Sequence, residues 1–169
     1  FLGRRPRKWT YTYGHRGRMD EQYELRRAVR DERYLYIRNY LPHLPLGQIS
    51  AYGWKQQGYQ EWEQLHLDGR LTATHERFFE QKPSEELYDT WHDPEQRRNL
   101  AGSSRHRGVL ERVRDALDEH LIRINDNGFI PEGSPLMGYD ESRAPGAYPL
   151  RRILRVAGTA IERDAGNLE

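Results

Sequence analysis

The chain has 169 residues, of which 36% are hydrophobic and 31% charged. That is enough for one ordinary domain, with room for a second small one. Apolar runs stay far short of a membrane-spanning helix, and the absence of cysteine excludes disulfides, thiolate metal sites and a cysteine nucleophile. Eleven Tyr, four Trp and four Phe argue for an ordered core. The formal charge of +1 is unevenly spread. Residues 1–18 hold six cations (Arg4, Arg5, Arg7, Lys8, Arg16 and Arg18) and no acid, while the remainder, with 21 Lys/Arg against 26 Asp/Glu, is net acidic. An anionic partner should therefore meet the N-terminal end. The start at Phe1-Leu2-Gly3 suggests a piece of something longer.

Residues 9–13 alternate β-branched and aromatic side chains and predict a strand, broken by residues 14–17. Residues 25–30 and 34–38 are strand-like runs across a short polar gap, which predicts an antiparallel hairpin with Leu35 and Ile37 on one side and Tyr34, Tyr36 and Arg38 on the other. Pro42, Pro45 and Gly47 make residues 41–50 a loop. Residues 52–67 read as a broken helix, and Thr72 can cap a short helix through Phe79. Residues 86–89 read as a strand. Asp93-Pro94-Glu95-Gln96 has the pattern of a capped helix start.

The clearest element covers residues 104–125, where Leu110, Val113, Leu117, Leu121 and Ile124 form one apolar stripe. Ser103 or Ser104 can cap it and Asn127-Gly128 can close it. Residues 131–149, rich in Pro and Gly, form an irregular connector. Pro149 then opens a last amphipathic helix with Leu150, Ile153, Leu154, Ala157 and Ile161, before an apparent linker at residues 165–169. The fold class is α+β: a small antiparallel sheet of about four strands packed on a long amphipathic helix, with a further C-terminal helix. Residues 1–130 form one unit, with a helical insertion at about 50–80, and residues 131–169 form the connector and terminal helix.

None of the seven histidines stands in a metal-binding motif. His66-Leu67-Asp68 and His92-Asp93 come nearest, and both read as surface or capping residues. Nucleophile-elbow, phosphate-loop and dinucleotide motifs are absent. Glu85-Glu86 and Asp118-Glu119 read as solvated surface. His15, Arg16 and Arg18 just past a strand could line an anion site, because forked guanidinium groups match sulfate, phosphate and carboxylate oxygens. A solvated strand edge is the plainer reading of the same residues.

Two stretches resemble the C-terminal part of sulfatases, in particular the branch containing heparan N-sulfatase. One runs from Gly14-His15-Arg16-Gly17-Arg18-Met19-Asp20-Glu21 into residues 27–40. The other joins Lys82-Pro83, Glu85-Glu86-Leu87-Tyr88-Asp89, Asp93-Pro94-Glu95 and Asn99-Leu100-Ala101, followed by the long helix. The resemblance implies a small C-terminal subdomain with a four-stranded sheet on a long helix. It also implies a formylglycine nucleophile made from Cys or Ser in a C/S-x-P-x-R motif, and a metal, usually calcium. This sequence has no such motif and no Asp-Asp pair for the metal, so the catalytic and metal residues find no match, and the chain alone should be inactive. Formylglycine and calcium are expected in an N-terminal sulfatase domain, which would be the partner. The resemblance further places His15, Arg16 and Arg18 near the pocket mouth, as binding residues for a sulfated saccharide or other sulfate ester, and it suggests a periplasmic or secreted protein with no membrane partner.

Two other readings compete. A polyanion- or nucleic-acid-binding module could use residues 1–18, with Trp9, Tyr11 and Tyr13 stacking on bases, although the acidic remainder counts against a nucleic-acid partner. A purely structural cover for a catalytic domain is compatible with the sulfatase resemblance.

Overall fold

The computed structural model describes residues 9–161. Arg4, Arg5, Arg7 and Lys8 of the basic segment, and the expected linker at 165–169, lie outside the described residues. Four strands, β1 (Thr12–Arg16), β2 (Arg26–Arg30), β3 (Tyr34–Asn39) and β4 (Glu85–Asp89), form one antiparallel sheet in chain order. The α+β architecture is the one expected. The first strand is displaced: it passes through Gly14 instead of ending there, because β2 supplies a partner for every residue to Arg16, with Gly14 opposite Ala28 and His15 opposite Arg27. Pairing outweighs the low strand propensity of a single glycine.

The expected hairpin joins β2 to β3. Asp31 closes its turn by accepting hydrogen bonds from the backbone of Arg33 at 2.8 Å and Tyr34 at 2.6 Å. On the sheet face bearing Val29, Tyr36 and Leu87, all three are fully buried. Helix α3 (Arg107–Ile124) packs here, burying Leu110, Val113, Leu117 and Leu121. Ile124, expected in the same stripe, is 45% exposed, because the helix ends there. Asn125, with φ 50° and ψ 60°, closes it two residues before the expected Asn127-Gly128 stop. At its start a 3₁₀ turn, Ser104–His106, replaces a serine cap, and the Ser103 hydroxyl meets His106 Nδ1 at 2.9 Å.

The opposite sheet face shares a cleft with the excursion between β3 and β4, where Ile37 and Tyr88 meet Leu46, Trp62 and Phe78. In this excursion a 3₁₀ turn at Gly53–Lys55 precedes α1 (Gln57–Leu67), which matches the expected broken helix. Thr72 caps α2 as expected, but α2 (Ala73–Glu76) ends three residues early. Trp62 stacks on Phe78 with ring centres 4.2 Å apart, giving the excursion its own aromatic nucleus.

No helix starts at Asp93. Gln96 takes the left-handed conformation, φ 55°, and the Asp93 carboxylate instead accepts from the backbone of Arg97 and Arg98 at 3.0 and 2.9 Å. The following Asn99-Leu100-Ala101 runs along the outer edge of β4. Leu100 N–H donates to the Leu87 carbonyl at 2.8 Å, and the Asn99 amide bonds Leu87 N–H and the Glu85 carbonyl, each at 2.9 Å. The motif thus continues the sheet with one backbone bond and a side chain. The connector contains a short helix not anticipated from sequence, α4 (Tyr139–Arg143). The last helix, α5 (Leu150–Ile161), starts after Pro149 as expected and buries Leu150 and Leu154 in the same core as α3.

Candidate functional site

A cleft of about 280 Å³ opens where the ends of β1 and β2 meet the C-terminal turns of α3. Its base is an ion pair between Arg27, whose side chain is 4% exposed, and Asp126, 11% exposed. Arg27 Nε donates to Asp126 Oδ2 at 2.5 Å and Nη2 to Oδ1 at 3.1 Å, the forked geometry that a guanidinium and a carboxylate share. Its Nη1 also donates to the Arg26 carbonyl at 2.9 Å, and its plane lies over Phe129, 5.5 Å from the ring centre. Asp126 accepts from Gly128 N–H at 2.9 Å, fixing the turn that follows α3. Burial opposes ionisation of Asp126, but the Arg27 hydrogen bonds and charge outweigh it and hold the carboxyl below its ordinary pKa.

His120 forms one wall. Its ring stacks on Tyr13 with centres 3.6 Å apart and planes 2° from parallel. Arg123 Nη2 donates to its Nδ1 at 2.8 Å. Burial, and then the Arg123 charge, lower the pKa of His120 and favour the neutral imidazole. Arg143, from α4, donates to the Ile124 carbonyl at 3.1 Å and lies over Tyr139 at 3.9 Å.

The three residues singled out from sequence do not converge. His15 lines the cleft, opposite Arg27 on the helix-facing side of the sheet. Its neighbour Arg16 belongs to the other face and donates to Gln22 Oε1 at 2.9 Å. Arg18 lies beyond the strand, in an ion pair with Glu132, with Nε donating to the Asp20 carbonyl at 2.9 Å. Strand alternation separates His15 from Arg16. The cleft residues not singled out were Arg27, Asp126, His120 and Arg143. The hairpin register could have put Arg27 beside His15. The polar turn Asn125-Asp126-Asn127-Gly128 marked the end of a helix without showing what would meet it.

The nearest approaches to a metal pair are engaged elsewhere. His66 pairs with Glu76 and stacks on Phe79, 4.3 Å between ring centres, and His92 Nδ1 lies 3.0 Å from Asp89 Oδ2. Among the described residues no group of three His, Asp or Glu side chains is placed to hold a metal ion. The expectation that Glu85-Glu86 is solvated surface is corrected. Consecutive strand residues point to opposite faces, and each carboxylate meets its own partners there. Glu85 pairs with Arg38 at 2.6 Å and Arg114 at 2.7 Å. Glu86 accepts from Asn39 Nδ2 and the Tyr88 hydroxyl at 2.7 and 2.5 Å. Asp118 is also partly withdrawn from water, and burial raises its pKa.

His15 and Arg143 lie at the rim of this cleft. No family model matches the chain. An ulvan-active sulfatase of Formosa agariphila is 34% identical over 134 residues, covering 78% of this chain and 22% of the relative. A solved structure of a candidate sulfatase from Bacteroides thetaiotaomicron is 22% identical, covers 85% of this chain and 24% of its own, and superposes with a TM-score of 0.46, too loose a likeness to add to the assignment. The chain therefore spans 22% of the curated relative's length. Over that stretch the chain is similar to part of the Formosa sulfatase, and the match does not single out the heparan N-sulfatase branch.

Proposed function

We propose that this chain is the C-terminal part of a sulfatase that hydrolyses sulfate esters or sulfamates of saccharides. The observation that carries the reading is the 34% identity with the Formosa enzyme over most of this chain. In this reading the chain completes the fold of an N-terminal catalytic domain and contributes to substrate binding at the end of β1. The finer likeness to heparan N-sulfatase rests on the motifs at residues 14–21 and 82–101, and the family suggests an extracellular or periplasmic setting. Among the described residues no helix is long and apolar enough to cross a membrane. Calcium and formylglycine do not fit the residues present here: the sequence has no cysteine, and among the described residues no group of three His, Asp or Glu side chains could hold a metal ion. In this reading both belong to the catalytic domain. The nucleic-acid reading is not favoured, since the matching relative is a sulfatase.

At the end of β1, His15 on one sheet face and Arg16 and Arg18 away from it would recognise separate sulfate or carboxylate groups of an extended substrate. Arg18 would exchange its Glu132 partner for the substrate. The test is steady-state kinetics of the full-length enzyme, with ulvan as the first substrate. Arg16→Ala with Arg18→Ala should raise KM about tenfold with kcat little changed, the sign of lost binding without lost chemistry. Unchanged KM on every sulfated substrate turned over would reject this role for the arginines. A full-length enzyme that releases no sulfate from any of them would reject the sulfatase reading itself.

A further inference from the structure

A second cleft lies at the opposite end of β1, about 13 Å away along a five-residue strand. It encloses about 590 Å³ between the β2–β3 turn, the segment after β4 and the chain entering β1. Two tryptophans open onto it: Trp9, 76% exposed, and Trp91, 59% exposed. Two large aromatic rings left exposed at one cleft are a binding signal in a way that scattered exposed residues are not. Trp91 is also fixed in place. Its indole N–H donates to the Glu32 carbonyl at 3.0 Å, and the Arg33 guanidinium lies 5.5 Å from its ring centre. A large ring anchored by its polar edge yet left in water is preorganised, so ordering it costs a ligand little.

The charges around the cleft indicate what it takes. Arg33 is bound to Asp89 through Nε at 3.1 Å and Nη2 at 2.6 Å. Arg112 is bound to Asp31 at 2.7 Å and to the Tyr11 hydroxyl at 2.9 Å. Each guanidinium is already neutralised by a carboxylate, and exposed Glu32 adds a negative charge. Among the described residues the guanidinium groups at this cleft are each paired with a carboxylate, so a sulfate or phosphate would find no unpaired cation there. The remaining combination is two aromatic faces beside carboxylates that accept and guanidinium groups that donate hydrogen bonds. This suits a molecule with apolar C–H faces and a rim of uncharged hydroxyls. We propose that the Trp9–Trp91 cleft binds a neutral pyranose chain, its C–H faces stacked on the indoles and its hydroxyls bonded to the Asp31, Glu32, Arg33 and Arg112 rim. The site is separate from the sulfate-recognising end and does not depend on the sulfatase reading.

Calorimetric titration of the 169-residue chain with cellohexaose and xylohexaose tests this. Saturable binding is expected with Kd on the order of 1 mM, weak because an open site must order a flexible chain. Affinity should be the same at about 50 and 500 mM NaCl, since no net charge is neutralised. Trp9→Ala should weaken binding about tenfold. That position is too exposed for the change to unfold the chain, whereas Trp91→Ala, expected to abolish binding, is paired with a thermal melt. Absence of heat with both sugars would overturn the proposal, as would full affinity in Trp9→Ala. It would also be overturned if sedimentation showed a dimer that Trp91→Ala dissociates, which would make the cleft a self-contact. Loss of binding in the full-length protein would overturn it too, showing that another part of the parent covers the tryptophans.

Discussion

Replacing Asp126 by asparagine isolates the electrostatic role of the pair beneath the His15 cleft. Asparagine keeps an acceptor for Gly128 N–H and for one guanidinium N–H, but it removes the charge that compensates Arg27. With the arginine side chain only 4% exposed, its charge is left without a partner in a place water scarcely reaches. Breaking a buried pair costs about 3–5 kcal/mol. The carbonyls of Arg26 and Arg16, accepting from Arg27 at 2.9 and 3.4 Å, soften the loss and point to the lower end, about 3 kcal/mol. For a chain of this length that corresponds to a Tm roughly 6–12 °C lower. Urea unfolding followed by circular dichroism gives the number directly. A cycle with Arg27→Met should show coupling, the double variant losing at least about 1 kcal/mol less than the sum of the singles. Stability of Asp126→Asn within about 0.5 kcal/mol of the parent, or additive singles, would refute the argument.

Acid should weaken the fold. Asp126, Glu85 and Asp31 are each held below their ordinary pKa by arginine partners and hydrogen bonds that outweigh burial. Their stabilisation is present above the unfolded values and is lost as pH falls below about 4. Asp118, raised by burial, acts in the opposite sense and is outnumbered by the carboxylates held low. The urea midpoint should therefore drop between about pH 5 and pH 3, and a flat profile there would contradict this account. Leu117→Ala, at a side chain 1% exposed beneath the sheet, should cost about 2–5 kcal/mol in the same urea assay. Gly128→Ala should destabilise through the ion pair, because a Cβ there would collide with Arg27 Nη2. The mark of that mechanism is that Gly128→Ala costs little once Arg27→Met is present, and an undiminished cost would exclude it.

Much of the fold was legible because its signals are local. The Leu110–Leu121 stripe, the Asp31 turn and Pro149 at the head of α5 each act within a few residues. The errors came where distant segments decide. Gly14 reads as a breaker until β2 is alongside it, and Glu85-Glu86 reads as surface until Arg114 and Arg38 reach the first and Asn39 the second. Asp93 has the composition of a cap, and it does cap backbone N–H groups, but the left-handed Gln96 ends the segment before a helical turn can follow. The cleft was half legible. His15 stood out in a basic stretch, but its companions come from β2, the end of α3 and α4, a juxtaposition that one-dimensional spacing does not record.

The chain-order sheet leaves one long interruption, between Asn39 and Glu85, and both ends of it are tied down. Lys82, 2% exposed, is bound to Glu24 at 2.9 Å, and Asn39 N–H donates to the Ser84 carbonyl at 2.9 Å. The β3–β4 register is thus set at the base of the excursion and not by its contents. Closing a flexible loop of twice the length costs only about 0.6 kcal/mol more. Descendants of this sequence can therefore lengthen the excursion between those two anchors while the β3–β4 register stays in place. The excursion is where the molecule has most room to evolve.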